Sequence, residues 1–406
     1  MGSPEWRDVG VPNARHRVEV TAVGGRTTLL PTAFRHRTKY ALGLASEIIA
    51  PVIRPVARLV TGAPSPKSSW KRGLIIAHNH IGDVLYRTPS LQALRSGLPD
   101  CEWSFLTSHN SAEVLKHNPN LAEVLPWNDG DDSWNITRSA RKELAARQFD
   151  AVICSNTLRH YPDFMLAVSL GIPNRVGFTY KGLSGLVTHP VGINFPSPYA
   201  GYFRTLVAEL TGQTPDWSLA PDIFLNEQDS IEAQSVITNA GLGSKPIVAC
   251  SLATRQSRGN WPVEFMISAI AEARRSRDFD IVLCGGPDDR SRLTHVKSEL
   301  GAGVHLMAGD LSLRGFAAFL RRCSVLFTLD SGPRHVGNAV GCRVLFARNM
   351  SHSSIEAGAY CATETDIAPA GEYLSDPEIA RVAEATSPAA SASQLCELIR
   401  SGAAQA

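Results

Sequence analysis

The chain has 406 residues, 44% of them hydrophobic and 19% charged, enough for two ordinary cores and too long for one small module. Its net charge of +2 conceals an asymmetry, because residues 1–72 carry twelve Lys and Arg against four Asp and Glu and the remainder is acidic. An acidic body without a basic, aromatic-studded stripe excludes a nucleic-acid enzyme, and no apolar run reaches the about 20 residues of a bilayer span.

From the amino terminus, residues 1–70 form a basic extension without the apolar core of a signal peptide, so the chain is expected in the cytoplasm. Within it Arg35, Arg37 and Lys39 precede Leu42, Leu44, Ile48, Ile49, Val52, Ile53, Val56 and Leu59, with Arg54 and Arg58 interspersed. Two readings stand. The segment lies on an anionic membrane at the inner face of the cytoplasmic membrane, or it is a helix packed on the body and broken near Pro51 and Pro55.

A first α/β unit spans 71–225. Gly73–Ala77 is an apolar run that stops at a polar loop, His78-Asn79-His80-Ile81-Gly82-Asp83, and reads as a buried strand feeding a tight turn. Thr88 and Pro89 suit an N-cap and first turn, Leu91 and Leu94 have helical spacing, and Gly97 is a stop. Asp83 therefore falls between strand and helix, at the carboxyl end of a sheet, where ligands of open α/β sheets bind. Glu102–Leu106 and Ala151–Cys154 read as further strands, and Ser111–His117 and Arg138–Arg147 as helices.

Polar, helix-like sequence at Glu227–Asn239, then Gly241, Gly243 and Pro246, joins this unit to a second α/β unit at 245–385. Its strands are Ile247–Cys250, Asp280–Cys284, Val304–Met307, Val325–Thr328 and Val344–Ala347. A C-terminal helix follows at 386–406. Strands alternating with helices imply parallel sheets covered on both faces, and two such sheets leave a cleft for a two-substrate reaction.

Three loops of the second unit carry polar chemistry at strand ends. Asp330-Ser331-Gly332-Pro333-Arg334-His335 opens a helix running to about Val340, and free amides at such a helix start suit a pyrophosphate. Gly285-Gly286-Pro287-Asp288-Asp289 offers carboxylates for ribose hydroxyls. The segment from Ser251 to Trp261 contains Thr254 and two cations suited to a leaving diphosphate, Arg255 and Arg258.

The eight cysteines contain no C-x-x-C pair and several lie inside apolar runs, so they are expected as buried thiols, not a disulfide framework or zinc site. His78 and His80 alone approach metal spacing, without evident partners. No metal and no resident cofactor are expected.

Taken in order, these phrases resemble glycosyltransferase family 9, the heptosyltransferases. The resemblance rests on Ile81-Gly82-Asp83-Val84 with Thr88-Pro89-Ser90-Leu91-Gln92-Ala93-Leu94, on Asn118–Pro126 and on Arg175-Val176-Gly177-Phe178. Trp261-Pro262, Gly285-Gly286-Pro287 and Asp330–His335 carry it in the second unit.

The resemblance implies a GT-B fold, two Rossmann-like domains facing a central cleft. It further implies inverting transfer of heptose from ADP-heptose to lipopolysaccharide core or another lipid-linked envelope glycan. Asp83 would be the general base, with His80 and Gly82 on the acceptor side. Thr254, Arg258, Gly286, Asp288, Asp289, Asp330, Ser331, Gly332 and His335 would hold the donor. The chain departs from the family in having Gly259 two residues before Trp261, where a Lys is usual, with Arg258 one position earlier. It also has Arg334 in place of Met, and Ala347-Arg348-Asn349-Met350 in place of a Gly-containing loop. A nucleotide-sugar epimerase or hydrolase of the same architecture, or an inactive binding protein, are the alternative readings.

Overall fold

The computed structural model describes residues 22–23, 26–27, 37–77, 80–127, 137–155, 160–179, 184–192, 198–213, 220–252, 260–369, 378–379, 381–382 and 386–403. Two six-stranded sheets dominate it. The first comprises β1 (Arg72–Ala77), β2 (Glu102–Ser108), β3 (Glu123–Trp127), β4 (Ala151–Cys154), β5 (Asn174–Phe178) and β6 (His189–Val191), in the order β3-β2-β1-β4-β5-β6. The second comprises β7 (Ile247–Ser251), β8 (Asp280–Gly285), β9 (Val304–Ala308), β10 (Val325–Leu329), β11 (Val344–Ala347) and β12 (Glu364–Asp366), in the order β9-β8-β7-β10-β11-β12. Every pairing in both sheets is parallel.

Each sheet is the doubly wound arrangement, whose order reverses between β1 and β4 and between β7 and β10. The loops after β1, β7 and β10 therefore all leave the sheets at a reversal point. This is the two-Rossmann architecture expected from the sequence. Central strands such as β1 and β7 are buried on both faces and so read as unbroken apolar runs.

The strands that escaped sequence reading are at or near sheet edges, and each violates the apolar pattern. β3 contains Pro126, β5 contains Asn174 and Arg175, β6 is three residues long, and β12 is Glu-Thr-Asp. Arg175 is buried because its guanidinium donates to the carbonyls of Leu186 and Ile172 at 2.6 Å and to Thr61 Oγ1 at 3.1 Å.

The expected break near Pro51 and Pro55 does not occur. The helix α1 (Arg37–Thr61) runs through both prolines. Both are solvent-exposed, so the carbonyls that lose a backbone donor can turn toward water. Thr88 is likewise not an N-cap. The helix α2 (Ile81–Leu85) precedes it, and its hydroxyl accepts from Asp222 N at 2.9 Å, tying the connecting segment to the first unit. The segment expected as one helix at Ser111–His117 is a turn of α-helix at His109–Ala112 followed by a 3-10 turn at Glu113–Leu115. All eight cysteines are free thiols, six buried and two half-buried.

One arginine joins the halves. Asn226 and Asp229 form a capping box at the start of helix Glu227–Asn239, and Asp229 also receives Arg314, from helix Leu313–Leu320, at 3.1 and 2.6 Å. The same guanidinium donates to Phe224 O at 2.6 Å and to Glu113 O and Lys116 O of the first unit at 3.4 and 3.3 Å. Removing one member of a buried pair strands the other's charge. Arg314→Leu is expected to cost about 3–5 kcal/mol in urea unfolding, whereas Arg321→Leu on the exposed side of the same segment changes stability by less than about 0.5 kcal/mol.

Candidate active site

The site forms where the carboxyl ends of β1 and β10 meet. Asp83 lies in the first turn of α2, not in a loop, and its half-buried carboxylate takes no hydrogen bond among the described residues. The backbone around it is fixed by Arg87, one turn on. That guanidinium donates to Ser155 Oγ at 2.7 Å, to Ser155 O at 3.2 Å and to Asp83 O, while Ser155 Oγ donates to Ile76 O at 3.0 Å. Burial lowers the Arg87 pKa to about 10 against the opposing pull of Asp83 and Asp163, which leaves it charged at neutral pH. Its charge sits beside a carboxylate that is held in place through the main chain.

Gly82 serves a purpose other than a tight turn. A Cβ on it would stand 2.1 Å from Cδ2 of His335, so only glycine lets α2 meet α12 (Gly332–Ala339) this closely. His335 shares a 2.9 Å hydrogen bond with Tyr360 Oη through Nδ1. Tyr86 closes the group edge-on, with ring centroids 4.6 Å from His335 and 4.9 Å from Tyr360. Burial pushes both phenols well above their ordinary range, so they remain protonated donors.

Arg334 is fully buried beneath this aromatic group. It donates to Glu364 at 2.6 and 3.2 Å, to Asp330 at 2.8 Å, and to Ala357 O and Gly358 O at 2.9 and 2.6 Å. Its guanidinium also lies 3.6 Å from the Phe346 ring centroid. Glu364 is saturated in turn by Asn338 Nδ2 at 2.6 Å and Tyr360 N at 2.8 Å. Burial opposes the charge on Arg334, but Glu364 and Asp330 hold its pKa well above the ordinary value. Burial likewise opposes the Asp330 carboxylate, and Arg334, then His335, keep it below the usual range.

Ser331 occupies the N-cap position of α12, yet its hydroxyl donates to Leu329 O at 3.3 Å and caps nothing. The first-turn amides are thus left without a side-chain acceptor, and a Cβ on Gly332 would meet only Ile81, at 3.9 Å. Asp330 is committed to Arg334 and, at 3.4 Å, to Asn349 N. Gly286 and Asp288 are exposed. Asp289 is spent locally on Gly286 N at 2.9 Å and Arg292 at 2.9 Å. His80 is exposed at the N-cap position of α2, and Thr254 and Arg258 lie outside the described residues.

Arg348, a departure noted in the sequence, is also a buried anchor. It reaches Asp366 at 3.0 Å, His352 O at 2.8 Å and Pro369 O at 2.7 Å. Sequence reading missed Tyr86, Arg87, Tyr360 and Glu364. Reading α2 as helix would have placed Tyr86 and Arg87 three and four residues from Asp83 on one face; nothing local marks Tyr360 or Glu364. Among the described residues no three His, Cys, Asp or Glu side chains are arranged to hold a metal ion.

The sequence pattern of glycosyltransferase family 9 (heptosyltransferase) matches residues 137–348, slightly more than half of the chain. The lipopolysaccharide core heptosyltransferase OpsX of Haemophilus influenzae is 22% identical over 282 residues, covering 67% of this chain and 77% of OpsX. The solved structure of E. coli ADP-heptose lps heptosyltransferase II superposes with a TM-score of 0.64 at 17% identity, over 81% of this chain and 99% of that one. E. coli heptosyltransferase WaaC, solved with ADP, gives 0.59 at 20% identity, over 82% and 100%. At these identities the two structures show the shared fold.

Two outcomes follow from the buried charges. Burial, and next to it Arg334, holds His335 down to about 4 from an ordinary 6.5. The unfolded chain binds that proton first, so stability present above pH 6.5 is lost as pH falls toward 4. Between pH 7 and 5 the loss is about 2 kcal/mol, and His335→Asn is expected to remove it from the difference in urea midpoints. Arg334→Met is expected to cost about 3–5 kcal/mol by stranding Glu364 and Asp330; Arg334→Met with Glu364→Gln recovers part of that in the same measurement.

Proposed function

The chain belongs to glycosyltransferase family 9, and on that basis we propose that it transfers heptose from ADP-heptose, with inversion, to lipopolysaccharide core or another lipid-linked envelope acceptor. The work is done at the cytoplasmic face of the membrane. The donor and acceptor classes are those carried in the names of its relatives, ADP-heptose for the E. coli enzyme and lipopolysaccharide core for OpsX.

The observation that carries the reading is the Asp83 carboxylate, without a hydrogen bond among the described residues, opposite the uncapped start of α12. In the proposed reaction Asp83 removes the proton of the acceptor hydroxyl as its oxygen bonds to the anomeric carbon. The bond from that carbon to the β-phosphate oxygen breaks on the opposite face, and ADP departs with the electron pair. The anomeric carbon passes through an oxocarbenium-like state.

The departing diphosphate is received by the amides of α12 at Ser331 and Gly332 and, from the sequence pattern, by Arg258 and Thr254. Asp330 contributes by holding that turn through Arg334. Asp288 is the better acceptor for the ribose hydroxyls, because Asp289 already serves Gly286 and Arg292. His335 and Tyr86 line the side facing Asp83. As proposed, the reaction needs no bound metal, since amides and cations take up the leaving-group charge.

Asp83→Asn is expected to lower transfer by about 10²–10⁴-fold while calorimetric affinity for ADP-heptose stays within about threefold (about 0.6 kcal/mol) of the parent. Turnover by the variant at the parent rate removes Asp83 as base. Tighter binding of a UDP- or GDP-sugar than ADP-heptose removes heptose, loss of turnover in EDTA removes the metal-free step, and free heptose released without acceptor favours a hydrolase.

A further inference from the structure

The helix α1 is packed the wrong way round for a helix that serves only the core. The residues it turns to the body, Ala50, Ile53, Ala57 and Thr61, are mostly small. Its larger apolar residues point outward: Ile48 is 78% exposed, Val52 68% and Leu59 86%, and Ile49, Val56 and Val60 are each more than half exposed. At about 100° per residue these six fall within one arc of about 120° that adjoins the packed side at Ile53 and turns away from it. Exposed Arg54 and Arg58 lie on the flank between the two faces.

We propose that this face rests in the interfacial layer of an anionic lipid membrane, with the arginines at the phosphate level. Charge selects this occupant. Within α1 itself Arg37, Lys39, Arg54 and Arg58 stand against Glu47 alone, while the chain beyond residue 72 is acidic, so α1 carries a positive field that attracts anionic lipid. A second copy seated on the same face would bring two such basic segments together. No helix among the described residues is long and apolar enough to cross a membrane, so α1 lies on the surface.

The contacts of α1 fix this surface to the first unit. Glu47 accepts from Ser184 N at 3.0 Å and from Ser184 Oγ at 2.5 Å, and a Cβ on Gly185 would lie only 3.0 Å from Ile53 Cβ. Ser184 and Gly185 belong to the connection between β5 and β6. Further along the helix, Thr61 accepts from Arg175 at the start of β5. Docking through this face holds the first unit at the surface that carries a lipid-linked acceptor. That consequence rests on the lipid-linked acceptor proposed above; the docking itself does not.

The test is co-sedimentation of the full chain with vesicles of phosphatidylethanolamine and phosphatidylglycerol, against phosphatidylcholine alone. The parent is expected to partition at least about tenfold more strongly onto the anionic vesicles. Val52→Ser with Val56→Ser and Leu59→Ser is expected to lower that partition about 100-fold, and Arg54→Gln with Arg58→Gln to lower it about tenfold. Circular dichroism and ADP titration of each variant should match the parent, because these side chains lie outside the core and the cleft. Absence of binding by the parent, or equal binding by the serine variant, overturns the proposal. A parent that is dimeric by light scattering and becomes monomeric in the serine variant, without vesicle binding, assigns the face to a second copy and also overturns it. ADP titration of the same preparations reads the donor assignment separately, so either reading can fail while the other stands.

Discussion

Arg334 has no exposed surface, and two carboxylates, two carbonyls and an aromatic ring converge on it. A guanidinium in that position is tolerable only if every donor is met, and meeting them fixes the surroundings. Asp330 is drawn back onto the first turn of α12, Glu364 is brought to the sheet edge, and the segment through Ala357 and Gly358 is closed over the strand ends. Tyr360, whose amide donates to the same Glu364, is thereby set against His335 and Tyr86. The charge cluster is thus scaffold for an aromatic wall facing Asp83. The same saturation explains why the carboxylate of Asp330 is spent within the protein and the free amides of α12 are not.

The second constraint is the closeness of the two units. Their sheets are separate hydrogen-bonded entities, but the contact between α2 and α12 leaves no room for a side chain at position 82. Arg314 fastens the far side of the joint with bonds to the first unit, the connecting segment and the helix that follows it. Thr88 takes the Asp222 amide between them. Hydrophobic packing gives each unit its layers, whereas this small set of directional contacts decides how the layers face each other. That division is physically reasonable, since apolar burial is non-directional and a forked guanidinium is not.

How much of this was legible follows from which signals are local. Runs such as Leu74-Ile75-Ile76-Ala77 and Val325-Leu326-Phe327 are strands because both faces are buried, and burial on both faces writes a continuous apolar word into the chain. The alternation of such words with helical stretches dictated the two parallel sheets, and the polar ends of the words marked Asp83, Ser331 and Gly332. Strands at the edges or next to them carried no such word. β5 hides Arg175 and β12 is built of Glu364, Thr365 and Asp366, because their polar groups are satisfied by partners distant in sequence.

Four residues singled out in the sequence have structural partners that no local pattern shows. Gly82 is required by an approach across the cleft, not by a turn alone; Asp330 is a structural partner of Arg334; and Arg334 and Arg348, both departures from the family pattern, are buried anchors. By itself the sequence determined the architecture and the strand ends at which chemistry is placed, since these follow from periodicity and from what a loop of Gly, Asp and Ser can do. Tertiary structure alone decided which polar groups are consumed by each other and which remain open, because that depends on contacts such as Arg334 with Glu364, thirty residues apart and adjacent only once the sheet has formed.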